Sequence, residues 1–197
     1  MNKIKIVLII TAFIIGFSIL IQAEKAWDNM TYVTSNINGT EYRVRKLTDC
    51  QEAADLLAET HIKMKETCNI LEKNNPTDPR VLRLKERFHN TSLSESDGYG
   101  NQTSFSINKG EKIVLCLRSK DGSNKLVDKN LLLFVALHEM SHIMTISIGH
   151  DDEFWNNFKF VLKECQNNGL YKCINFSSNP QSYCGITVTS SPHPCNG

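Results

Sequence analysis

Leu131-Leu132-Leu133-Phe134-Val135-Ala136-Leu137-His138-Glu139-Met140-Ser141-His142, followed by Gly149-His150-Asp151, is the stretch that decides how this 197-residue chain is read. Its first half is almost wholly apolar and predicts a buried helix, with Asn130 or Asp128 as the N-cap. On that helix His138 and His142 lie one turn apart on one face, so both imidazoles can close on one ion at the ~2.0 to 2.1 Å that zinc prefers. Glu139 sits about 100° round the helix from His138, where its carboxylate reaches a metal-bound water rather than the metal. His150 is too far along to share that face, because eight residues of straight helix span ~12 Å. The helix therefore has to stop, and Gly149 is the residue expected to end it, since glycine accepts the left-handed conformation that reverses a chain.

The residue types match the chemistry of a zinc hydrolase. Neutral imidazoles bind zinc while leaving it electrophilic, and three protein ligands keep a fourth position open for water. Glu139 is then the general base, with His138, His142 and His150 as the metal ligands and zinc (Zn2+) as the cofactor. The bare histidine-glutamate-histidine spacing arises by chance too often to decide anything, so its setting matters. Here an apolar helix precedes it, a glycine and a third histidine follow, and a further helix comes next. Asp151 or Asp152 would cap that helix, whose Phe154, Trp155, Phe158, Val161 and Leu162 recur at helical spacing and should pack behind the metal site. The other histidines, His61, His89 and His193, are expected to be solvated.

At the amino terminus Lys3 and Lys5 precede an uncharged, mostly apolar run from Ile6 to Ala23. As a helix this run spans ~27 Å, close to the hydrocarbon core of a bilayer. It reads as a transmembrane anchor or a cleaved signal peptide, and its length favours the anchor. The lysines then leave residues 1–5 cytosolic and place the rest across the membrane, extracellular, lumenal or on a virion surface. All seven cysteines follow this run, as an oxidising compartment would have it, and their odd number leaves at least one outside any intramolecular pair. Cys50 and Cys68 share one expected helix ~27 Å apart, so they cannot pair with each other. Sequons at Asn29, Asn38, Asn90, Asn101 and Asn175 are compatible with a lumenal glycoprotein. Lys3 and Lys5 are two of the chain's 22 basic residues, so about 20 remain after the run to balance the 21 acidic ones, and no basic run occurs, which argues against nucleic acid as a partner.

Beyond the run, the length suits a single domain with no long linker. Residues 24–40 read as a stalk and 41–197 as the domain. The expected elements are a strand at Glu41 to Lys46, a helix at Asp49 to Lys73 opened by a Thr48/Gln51 capping box, and a helix at Pro79 to Phe88. Ser92 to Asn101 reads as a polar loop. Strands at Thr103 to Asn108 and Lys112 to Arg118 form a hairpin through Lys109-Gly110, whose exposed edge could hold an extended peptide.

The run from Phe134 to Leu162 resembles the WLM and SprT-like zincin metallopeptidases. Lys109-Gly110-Glu111-Lys112-Ile113-Val114-Leu115-Cys116-Leu117-Arg118, Pro180 and Tyr183-Cys184-Gly185 are similar to membrane-anchored metallopeptidases of large DNA viruses. The resemblance covers about Asn101 to Pro192. It implies an α+β zincin-like fold, a small antiparallel sheet packed on the HExxH helix, with His138, His142 and His150 on zinc and Glu139 as base. Tyr171 and Tyr183 are candidates for stabilising the oxyanion. The function expected is that of a membrane-anchored zinc peptidase acting on peptide or protein substrates. The rivals are a zinc amidase with a non-peptide substrate and a non-catalytic surface or virion protein that keeps metal for stability. Oligomeric state is left open.

Overall fold

A computed structural model of the chain describes residues 10, 11, 13–17, 29–99 and 103–195. Most of the run from Ile6 to Ala23 lies outside these residues. Its described parts are helical and exposed, and among the described residues no helix is long and apolar enough to cross a membrane.

Two helices follow the first hairpin. α1 (Cys50–Asn74) buries Ala53, Ala54, Leu57, His61, Met64 and Leu71, a stripe at three- and four-residue spacing. The capping box is not made: Asp49 is the N-cap without a side-chain cap bond, its carboxylate is taken by Arg118 at 2.5 Å, and Gln51 reaches the carbonyl of Thr34 instead. α2 (Pro79–Phe88) begins with proline in its first turn, and Asp78 accepts from the backbone of Arg80. α3 (Lys129–Met144) is capped by Asp128, which accepts from Asn130 and Leu131. α4 (Asp152–Asn167) is capped by Asp151, which accepts from Phe154.

Strands β1 (Met30–Thr34), β2 (Glu41–Arg45), β3 (Ser92–Glu95), β4 (Phe105–Ile107) and β5 (Lys112–Leu115) form one sheet in the order β1-β2-β3-β5-β4. The sheet is mixed, which corrects the antiparallel sheet expected: β1/β2 and β4/β5 are antiparallel, but β3 runs parallel to both β2 and β5. Parallel neighbours need a long crossover, and α1 with α2 supplies it between β2 and β3. β3 occupies part of the segment expected to be a polar loop. Its Ser94 and Glu95 are buried without any apolar alternation to announce them, because Arg118 Nε and the backbone of Arg45 satisfy the two Glu95 oxygens at 2.8 and 2.7 Å. Part of the expected stalk is likewise the edge strand β1, so the folded domain begins before Glu41.

α1 packs against β1, β2 and β3, and α3 lies among α1, α2 and α4 with its far side on β4. That central position is why α3 is apolar on nearly every side. A two-stranded hairpin, β6 (Gln181–Tyr183) and β7 (Ile186–Val188), follows α4. Disulfides join Cys116 to Cys184 and Cys173 to Cys195, while Cys50, Cys68 and Cys165 are free. His61, expected in solvent, is buried, with Tyr42 Oη 3.2 Å from its Nδ1 and Phe88 edge-on, and burial pushes its pKa down to about 4.

Candidate metal centre

α3 projects His138 and His142 from adjacent turns, and their Nε2 atoms stand 3.2 Å apart. The loop after α3 brings His150 Nε2 to 3.2 Å from that of His142 and 3.0 Å from that of His138. Hydrogen bonds do not explain three nitrogens in a near-equilateral triangle, since one N–H cannot serve two acceptors at once along good angles. Three lone pairs aimed at one ion do explain it. Tetrahedral ligands ~2.05 Å from zinc are ~3.3 Å from one another, close to the spacing seen, so the donor set fits zinc. Burial, reinforced by the neighbouring imidazoles, pushes His138 down to about 3, and burial with His150 and Lys109 nearby pushes His142 down to about 4. Both rings are therefore neutral near pH 7, the form that binds metal.

The route to His150 differs from the one expected. α3 ends at Met144, capped by Thr145, rather than at Gly149. Gly149 is still needed, since it takes a φ of 96° immediately before the third histidine. What anchors the intervening loop is a set of ionic side chains. Lys109 Nζ donates to the carbonyls of Thr145, Ile146 and Ser147 at 3.2, 3.3 and 2.7 Å. Arg83 donates to the carbonyl of Met144 and Arg87 to that of Ile143, so cations cover the negative end of the helix. Glu153 accepts from the backbone N–H groups of Ile146 and Ser147, both at 3.1 Å. None of these four residues stood out in the sequence. Lysine in a hairpin turn and arginines on an amphipathic helix carry no local sign of a partner dozens of residues away.

Phe154 holds the rings themselves. Its side chain is fully buried, stacks on His142 with centroids 4.2 Å apart, and meets His138 and His150 at 4.8 and 4.7 Å. Phe158 lies 5.2 Å from His138, and Trp155 lies 5.7 Å from His150 while remaining partly exposed.

Glu139 is 4% exposed and lines a cleft of about 780 Å³ together with the three histidines. Burial alone pushes its pKa up to about 8. The two tyrosines separate. Tyr171 is a core residue whose hydroxyl accepts from the backbone of Ile174 at 3.4 Å. Tyr183 does line the cleft, but its hydroxyl donates to the carbonyl of Cys116 at 2.8 Å and shares a 2.7 Å contact with Ser104, so its proton is already committed.

Fold and site together define an α+β domain with a three-histidine metal-binding candidate and a buried carboxyl on the floor of one cleft. The WLM domain matches residues 63–193, and the chain belongs to that family. It is 29% identical over 170 residues to protein R325 of Acanthamoeba polyphaga mimivirus, covering 84% of this chain and 86% of that one. Protein 136R of Invertebrate iridescent virus 6 is 41% identical over 69 residues, 34% of this chain and 38% of its own. The crystal structure of Wss1 from Saccharomyces cerevisiae aligns with a TM-score of 0.48 at 21% identity, covering 64% of this chain and 90% of that one.

Proposed function

We propose that this chain is a zinc-dependent endopeptidase. The observation that carries the reading is the triangle of Nε2 atoms at 3.0 to 3.2 Å beside the buried Glu139, open to a cleft large enough for a peptide. When bound, zinc supplies an electrophilic centre that polarises a peptide carbonyl and makes water nucleophilic near neutral pH. His138, His142 and His150 would hold it. Glu139 accepts the proton of the attacking water and passes it to the leaving amine. A carboxyl held near 8 by burial is a poor base at pH 7, and Glu139 would become a better one with a divalent ion held on the three histidines, since a nearby positive charge favours the carboxylate. Membership of the WLM family supports the assignment.

The proposal extends to location. Lys3, Lys5 and the apolar run from Ile6 to Ala23 support a single membrane anchor with the catalytic domain beyond it, and the two disulfides favour an oxidising compartment there. The substrate is a peptide or protein on that side of the membrane.

Elemental analysis of purified protein, paired with Glu139→Gln, tests the chemistry. One zinc per chain is expected in both proteins, with cleavage of a mixed peptide library by the parent only. Equal cleavage by the two would refute the role of Glu139. Metal loss that unfolds the protein, with no cleavage by the parent, would instead favour a structural zinc site.

A further inference from the structure

Arg118 follows β5 and is 2% exposed, so each of its guanidinium N–H groups needs an acceptor inside the fold. Nε donates to Glu95 Oε1, and Nη1 donates to Asp49 and to the carbonyl of Asn124. Nη2 is buried and bonds nothing. Arg45, at the end of β2, repeats the pattern. Its backbone N–H takes the other oxygen of Glu95 at 2.7 Å and its Nη1 takes Asn124 Oδ1 at 2.9 Å, while its Nε is buried without a partner.

The two orphaned donors belong together. Both arginines are held by Glu95 and by Asn124, and both line one pocket of about 260 Å³. Among the described residues this pocket shares no lining residue with the cleft of the three histidines. A Cβ on Gly98, whose φ is 83°, would stand 3.2 Å from Cζ of Arg45, so glycine lets the backbone close on the guanidinium there.

A buried cationic donor without an acceptor carries its full desolvation cost, and the acceptors at hand are already used. Both oxygens of Glu95 are engaged, and Asp49 bonds Arg118. The guanidinium of Arg45 bonds only the neutral amide of Asn124. Water would accept from these N–H groups but leave that charge uncompensated, whereas an oxyanion does both. The volume is too small for a nucleotide or a peptide loop and suits a single anionic group with a few waters.

We propose that this pocket is a small-oxyanion site, in which Nη2 of Arg118 and Nε of Arg45 donate to one phosphate, sulfate or carboxylate group. The site stands independently of the peptidase reading. It adjoins the cleft through Cys116, which lines the pocket, is bonded to Cys184 and accepts from the hydroxyl of Tyr183 in the cleft.

Inorganic phosphate and sodium acetate are the probes, each titrated into the zinc-loaded whole chain at constant ionic strength set with sodium chloride. A ligand bound by the native state alone raises Tm with the logarithm of its concentration. For a dissociation constant of about 1 mM, about 20 mM of the fitting anion should raise Tm by about 4 to 7 °C. Whichever probe gives the larger shift identifies the group as tetrahedral or as a carboxylate. Arg45→Met keeps the stem and the backbone bond to Glu95, deletes the donor, and should cut the shift by more than half. Arg45→Lys restores the charge without the guanidinium and should do the same. Absence of a shift with either probe would mean that water alone serves the orphaned donors, and would overturn the site. Equal shifts in the parent and both Arg45 variants would place the anion on the metal or the general surface, and would overturn it as well.

Discussion

Replacing Lys109 by methionine isolates how the third histidine is held. Methionine keeps most of the stem's packing and deletes the ammonium that bonds the carbonyls of Thr145, Ile146 and Ser147. The backbone is no obstacle, since Lys109 already has a φ of 54° and methionine is no worse there. Two of the three contacts are long and the side chain is partly open to solvent, so together they count as about one charge-assisted hydrogen bond, discounted for screening to about 1 to 2 kcal/mol. Arg83 and Glu153 still grip the loop, so α3 remains folded and the loss falls on the placement of Gly149 and His150. With 1.4 kcal/mol for each factor of ten, zinc affinity should fall about 5- to 30-fold. Competition against a chromophoric zinc chelator measures this, with His150→Ala as the benchmark for complete loss of the third ligand. An affinity for Lys109→Met within about twofold of the parent, alongside a large loss for His150→Ala, would show that the loop holds His150 without the lysine.

Three more predictions follow from buried groups. His61 titrates near 4 when folded and ~6.5 when unfolded, so its stabilisation is fully present above 6.5 and is lost as pH falls through 4, by up to about 3 kcal/mol; urea midpoints of the parent should drop across that window relative to His61→Gln, and parallel profiles would refute the assignment. Arg118→Ala leaves Glu95, whose pKa burial already raises, without its ion pair. It should cost about 3 to 5 kcal/mol at pH 7 and less at pH 5, where Glu95 can take up a proton; equal cost at both pH values by chemical denaturation would contradict this. Phe154→Ala removes a fully buried ring that touches all three imidazoles, so both stability, by about 3 to 5 kcal/mol, and zinc affinity should fall, and calorimetry showing a loss below about 1 kcal/mol would rule out that packing role.

Local periodicity made much of the molecule legible. The helices at 50–74, 79–88, 129–144 and 152–167 carry their own signals: a stripe at three- and four-residue spacing, a proline opening the second, an apolar run behind Asp128, and an acidic cap ahead of aromatic residues. The proximity of His138 and His142 belongs to the same category, because one helical turn places them together whatever surrounds the helix. Long-range partners have no such signature. β3 is a central strand made of serine, leucine and glutamate, acceptable only because Arg118 and Arg45 reach Glu95 across the fold. Gly149 permits the turn to His150, but it takes Lys109, from the turn between β4 and β5, together with Glu153 and Phe154, from the first turn of α4, to bring that imidazole within 3.0 Å of His138. The mixed order of the sheet, the burial of His61 and the pairing of Cys173 with Cys195 are of the same kind. Hydrogen bonding along the chain repeats within four residues and can be read from spacing, whereas packing joins residues whose separation in sequence carries no information about their distance in space.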